Sequence, residues 1–399
     1  MRERRWIILA VLFAARAAIG FQFQSIGSAA NLLMADLGVG YSQVGMLLGA
    51  YMLPGVLVAY PAGLAGSRGR EKTLGLIGLM LMAVSGLALS YSGDLAFALV
   101  ARIVGGVGGT IVGLVATKMV ADWFESSEIV LAMSFLQMSW PFGAMVALPI
   151  QTWIGHSLGW HAVMASGAIC SVLALVAFAM IPRAAQPVQA VAAGRGRLAR
   201  AALAPVMISG VVWGAMNLAG VLFFSYAPLL MVAQGSSPTV AASLTSLAIW
   251  FIIVAIPAGG YLVNRLGRPL TAIVGCSLIG AAALMLFVAD FHPTISCLIF
   301  GIAIGPMSGA ILSMPARVLE PADRSVGFGL FYTCFYVLMA AGPFAAGRLQ
   351  DAFGSPSAAL VASAALLASI VPLVGLFWAV LKRREFVAAG HEAKLRAVS

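Results

Sequence analysis

Apolar residues run along this chain in long stretches separated by short polar breaks, from one end to the other. About 20 such residues cross one bilayer. Twelve runs of that length are read: roughly 6–33, 42–65, 73–91, 95–120, 129–151, 160–181, 203–232, 239–263, 270–289, 294–317, 327–347 and 357–381. In lipid the backbone must satisfy its own hydrogen bonds, so these runs are helices whatever their Val and Ile content. The expected fold is an all-α polytopic membrane protein with twelve transmembrane helices. The longest polar interruption, 182–202, holds Pro187, Gly194 and four Arg. It divides the chain into an N-terminal six-helix half (1–181), a basic linker (182–202), a C-terminal six-helix half (203–381) and a short tail (382–399).

Composition agrees with lipid as the solvent. Of 399 residues, 62% are hydrophobic and only 9% charged, where a soluble domain carries about a quarter charged residues; mean hydropathy is +1.02. The net charge of +10 would suggest nucleic acid in a soluble protein, but its distribution excludes that reading. Placing the N-terminus in the cytoplasm puts 20 of 23 basic residues in cytoplasmic segments: Arg2, Arg4 and Arg5; Arg68, Arg70 and Lys72; Lys118; Arg183, Arg195, Arg197 and Arg200; Arg265 and Arg268; Arg317 and Arg324; Lys382, Arg383, Arg384, Lys394 and Arg396. This is the positive-inside rule. It predicts a multi-pass protein of the cell membrane, a bacterial inner membrane, with both termini cytoplasmic. Ala15-Arg16-Ala17 superficially resembles a signal-peptide cleavage site, but the apolar run continues well past it. Cys170, Cys276, Cys297 and Cys334 fall inside predicted helices, where packing is the expected role.

Against this background the intramembrane charges stand out. Arg16 and Arg102 lie inside the first and fourth runs, and all thirteen Asp and Glu sit in or beside loops. A guanidinium within a span must face a polar interior. Projected at 100° per residue, Gly20, Gln24, Gly27 and Asn31 share the Arg16 face, while Gln22 and Ser25 point elsewhere. Five fixed donors suit a carboxylate or small oxyanion, and the glycines admit a ligand or another backbone. The alternatives for Arg16 are capping of backbone carbonyls in a broken helix, a tether between the two halves, and snorkelling to the membrane edge. Arg102 lies near enough the outer face to snorkel to water and divides between a functional role and structural capping, and the small stripe Gly106, Gly109, Gly113 and Thr117 on its face suits helix packing. In the seventh run Asn217, sharing a face with Ser209 and Trp213, is either a substrate contact or an interhelical hydrogen bond. Tyr51, Gln137, Trp140, Tyr332 and Tyr336 are weaker candidates with packing as the alternative.

Absences narrow the function. No carboxylate lies inside a span to exchange a proton for a cation, His156, His161, His292 and His391 avoid helix centres, and no phosphate-binding G-x-x-x-x-G-K-S loop occurs. No metal site, cofactor or nucleophile–base pair is expected, so the chain is not read as an enzyme.

Several segments resemble the major facilitator superfamily, over about residues 6 to 381. The loop Gly260-Tyr-Leu-Val-Asn264-Arg265-Leu-Gly267-Arg268 is similar to its G-x-L-x-D-R-x-G-R signature with Asn264 for Asp; a degraded copy, with Ala62 and Gly66 substituted, ends in Arg68, Gly69 and Arg70. Arg102 with Gly106 and Gly108 resembles its R-x-x-x-G-x-G segment; Pro141 and Gly143, and Gly159-Trp160, are similar to further motifs. The resemblance implies two six-helix halves around a central site lined by the first, fourth, seventh and tenth helices, with the two loops acting in gating. It implies a secondary transporter working by alternating access, as an expected monomer. Residues and resemblance together point to a small organic or inorganic anion paired with Arg16 and possibly Arg102, coupled to a proton or counter-anion as symporter or antiporter. The first span is loosely similar to nitrate/nitrite- and cyanate-type porters, although the nitrate signature is absent from the fifth and eleventh spans. The rival is a multidrug or metabolite exporter with an apolar cavity and structural arginines.

Overall fold

The computed structural model describes residues 2–64, 71–124, 129–180, 198, 200–319 and 324–398. Among these, thirteen helices follow in order: α1 (Arg2–Ser28), α2 (Ala30–Leu37), α3 (Tyr41–Leu64), α4 (Glu71–Ser90), α5 (Leu95–Trp123), α6 (Ile129–Leu158), α7 (Trp160–Ala179), α8 (Arg200–Ala233), α9 (Pro238–Leu266), α10 (Pro269–Val288), α11 (Pro293–Ala316), α12 (Arg324–Phe353) and α13 (Ser357–Val398). Over the described residues, eleven are long and apolar enough to cross a membrane by length and composition; α6 supplies a further 30 residues of helix at the fifth run. The twelve expected spans are therefore all helical.

Two boundaries differ from expectation. The first run breaks at Ala29, whose ψ of 9° is not helical, so its last residues form the separate α2. At the other end, α13 continues through the expected tail to Val398, because Lys382–Val398 is dominated by the strong helix formers Ala, Glu, Lys, Arg and Leu and contains one Gly and no Pro. Most of the expected linker, 182–197 and 199, lies outside the described residues, as do Arg68, Gly69 and Arg70.

Helices α1 and α3–α7 pack among themselves, as do α8–α13. Two seams join the groups, α3 against α12 and α6 against α9, and α1 and α2 also touch α8. The α3–α12 seam is antiparallel and nearly backbone to backbone. A Cβ on Gly347 would lie 2.2 Å from the Tyr41 carbonyl oxygen, and one on Gly45 2.0 Å from that of Pro343. Only glycine permits this approach. At its end the Asp351 carboxylate crosses between the groups and accepts the Tyr41 and Ser42 N–H groups at 2.9 and 3.0 Å, capping the start of α3. Along this seam the two groups are closed against each other. Toward the same end, Ser28 Oγ, Ser225 Oγ, the Tyr226 hydroxyl and both amide atoms of Gln350 are buried with no hydrogen-bond partner among the described residues; Tyr226 lies within electrostatic reach of Asp351 and Tyr41.

Inside the first group, α1 and α6 interlock through Gly20 and Gly143. A Cβ on Gly20 would meet the Trp140 carbonyl oxygen at 2.2 Å, and one on Gly143 that of Ala17 at 1.9 Å. Of the two uses open to Gly20, close approach of another backbone is the one realised. The contact places the middle of α1, and with it Arg16, against the middle of α6.

Candidate functional site

Arg16 is partly buried, and its Nη1 donates to the Leu136 carbonyl of α6 at 3.0 Å. Below that carbonyl's turn, Pro141 lacks the N–H that would bond the Gln137 carbonyl. Across from Arg16 stand Tyr332 and Tyr336 of α12, its electrostatic partners; no Asp or Glu is among them. Gln137 lies beside the Tyr332 hydroxyl and Thr110 beside that of Tyr336. Behind the tyrosines the α12 rings continue into Phe331 and Phe335, and Trp213 of α8 lies 6.1 and 6.5 Å from those two ring centres. Arg16, Gln137, Tyr332 and Tyr336 thus gather at one place between the two groups, just below the closed seam, where the Tyr336 ring already packs on Gly55 of α3.

Arg102 occupies a different setting. It is fully buried, and all three of its nitrogens are committed: Nε to the Leu47 carbonyl at 3.0 Å, Nη1 to that of Gln22 at 3.2 Å and Nη2 to that of Phe23 at 3.4 Å. Its guanidinium carbon lies 4.4 Å from the centre of the Tyr51 ring. Tyr51 in turn donates to Gln22 Oε1 at 3.1 Å, and Gln22 Nε2 to the Met82 carbonyl at 2.6 Å. This polar knot ties α1, α3, α4 and α5 together. Gly106 and Gly109 above Arg102 pack on Tyr51, whereas Gly113 meets nothing within 4 Å.

The remaining candidates scatter. Gln24 bonds the Phe224 carbonyl of α8 at 3.3 Å, bridging the two groups. Asn31 is exposed on α2 and lines a small cavity with Thr152, His156 and Pro228. A shared helical face does not make a shared site: at 1.5 Å per residue Asn31 lies about 22 Å along from Arg16, and the break at Ala29 intervenes. Asn217 donates within its own helix to the Trp213 carbonyl at 2.8 Å, so its amide bonds neither a neighbouring helix nor Arg16. Trp140 packs against Phe23, with ring centres 5.6 Å apart. At the end of α9, Gly267 takes a left-handed φ of 64°, and Arg265 and Arg268 on either side of it are exposed; the Asn264 side chain lies outside the described residues.

Two contributors escaped the sequence reading. Thr110 is one hydroxyl in a glycine-rich apolar run, and the Leu136 carbonyl is main chain, which carries no sequence signal. Asp351 reads as a loop acid because its partners lie about 310 residues away.

The profile of the Major Facilitator Superfamily matches residues 12–343 and again 218–397. The chain belongs to the major facilitator superfamily. This member of the superfamily is accordingly a multi-pass membrane protein and a secondary transporter. The match extends to the superfamily and no finer, so the likeness of the first span to nitrate/nitrite- and cyanate-type porters gains no support from it. A comparison with individually curated proteins gives no match.

Proposed function

We propose that this transporter moves a small anion across the cell membrane by alternating access, with the anion paired to Arg16. The observation that carries this reading is the state of that guanidinium. It sits within a membrane span with one nitrogen on a carbonyl, its other nitrogens uncommitted, and two tyrosine hydroxyls rather than a carboxylate opposite. A buried cation so placed is poorly compensated until an anion arrives, and a bound anion that favours the closed arrangement shifts the population toward it. Arg16 belongs to the first group of helices and the tyrosines to the second, so a ligand held by both couples binding to their relative movement. Arg102, by contrast, serves as the tether that keeps α1 in place. The closed α3–α12 seam and the unpaired α5 face at Gly113 fit a carrier sealed at one end and accessible from the other. By the charge rule of the loops, the sealed end faces away from the cytoplasm.

The test is a thermal-stability screen of purified protein in detergent against inorganic and organic anions, with neutral and cationic controls, beside Arg16→Gln. A ligand at 100 times its Kd adds about 2.7 kcal/mol. The expected result is protection by an anion in the wild type and none in the variant. Protection only by apolar cations or neutral compounds, unchanged in Arg16→Gln, would replace this reading with the exporter.

A further inference from the structure

We infer that the substrate carries a single negative charge; the inference rests on the anion reading above and deepens it. It comes from a census of intramembrane cation donors. Two guanidiniums lie in the interior of the spans, away from their ends. Arg102 is fully buried, each of its nitrogens donates to a carbonyl, and its face is covered by the Tyr51 ring. No orientation of a ligand reaches it without dismantling the junction of α1, α3 and α5. Arg16 alone, among the described cations away from the span ends, has charge and donors to spare. Around it the other groups are neutral: Gln137, Thr110, Tyr332 and Tyr336.

These neighbours can donate hydrogen bonds to further oxygens of an anion, but none neutralises a second charge. A dianion seated there leaves one charge without a cation partner in a half-buried site, and the desolvation penalty of an unpaired ion is large. A monovalent oxyanion matches the inventory: one charge on the Arg16 fork, remaining lone pairs on the hydroxyls and amide. An organic monocarboxylate and an inorganic monoanion share this chemistry.

The experiment compares matched pairs by thermal protection of the full-length protein: formate with oxalate, benzoate with phthalate, and nitrate with sulfate, all near neutral pH. Within at least one pair the monoanion is expected to bind tighter than its dianion by about tenfold or more, and in no pair is the order reversed. Protection by formate or benzoate alone identifies a carboxylate, and by nitrate alone an inorganic ion; both uphold the inference. A dianion binding as tightly as its partner overturns it while leaving the anion reading intact. No response to any anion removes the anion reading itself, and this inference with it. Gln137→Lys gives a second, independent readout by adding a cation opposite Tyr332. It is expected to raise dianion affinity relative to the monoanion, and an unchanged ratio in a folded variant counts against the single-charge site.

Discussion

Arg102→Lys separates the two intramembrane arginines most sharply. The substitution keeps the positive charge and changes only how many partners it can hold. In the wild type three nitrogens reach carbonyls on two helices, at 3.0, 3.2 and 3.4 Å, and the plane stacks on Tyr51. A lysine ammonium is a compact point donor and from the same Cα reaches one of those carbonyls. Two hydrogen bonds to a charged group are lost, each worth about 1.5–3 kcal/mol, together with the stacked geometry. Taking the low end, because the charge and one bond survive, the expected destabilisation is about 3 kcal/mol, a factor of more than 100 in the folded ratio. The assay is thermal denaturation in a mild detergent followed by tryptophan fluorescence, with anion protection measured on the same samples. A clearly lowered melting temperature with protection retained is the expected pattern. Wild-type melting with protection abolished would refute the reasoning, because it would make Arg102 a binding group and leave Arg16 without its special status.

Further outcomes follow from the same geometry. Asp351→Ala removes the cap on α3 and about 1 kcal/mol of seam stability, so a cysteine placed at Ser42 should label roughly fivefold more readily in its maleimide reaction. Gly347→Val drives a side chain into the Tyr41 carbonyl; cross-linking of cysteine pairs spanning α3 and α12 should fall, and an unchanged yield would show that the two helices need not touch. Asn217→Ala gives up only a bond within α8, and should leave anion protection unaltered and shift stability by no more than about 0.6 kcal/mol.

The spans were legible because lipid imposes one rule on every helix, and Arg16 was legible because a cation in that setting is costly. The face of Arg16 was only half readable. Periodicity correctly turned Gln22 away toward Tyr51 and Met82 and brought Gln24 to the boundary with α8. It did not register the break at Ala29, although Gly27 and Ser28 directly precede it, and so carried Asn31 along. Tyr332 and Tyr336 were visible as a pair four residues apart, yet nothing local says that their helix faces α1. That depends on the seam to α3, whose code is a set of glycines and prolines scattered over 300 residues. The glycines of the first span illustrate the same limit: sequence showed that something comes close to Gly20, and only packing showed that it is the main chain of α6.

The unpartnered polar atoms toward the closed end of the seam have a consequence for how the carrier cycles. Each buried group left without a hydrogen bond costs about 1–3 kcal/mol, and Ser28, Ser225, Tyr226 and Gln350 together supply five such atoms. Opening that end lets water reach them, which refunds the cost just as the glycine contacts are given up. The two terms oppose each other. Silencing the penalty with shape-matched apolar residues, as in Tyr226→Phe, should therefore make a more stable protein and a slower one, idling with its far door shut.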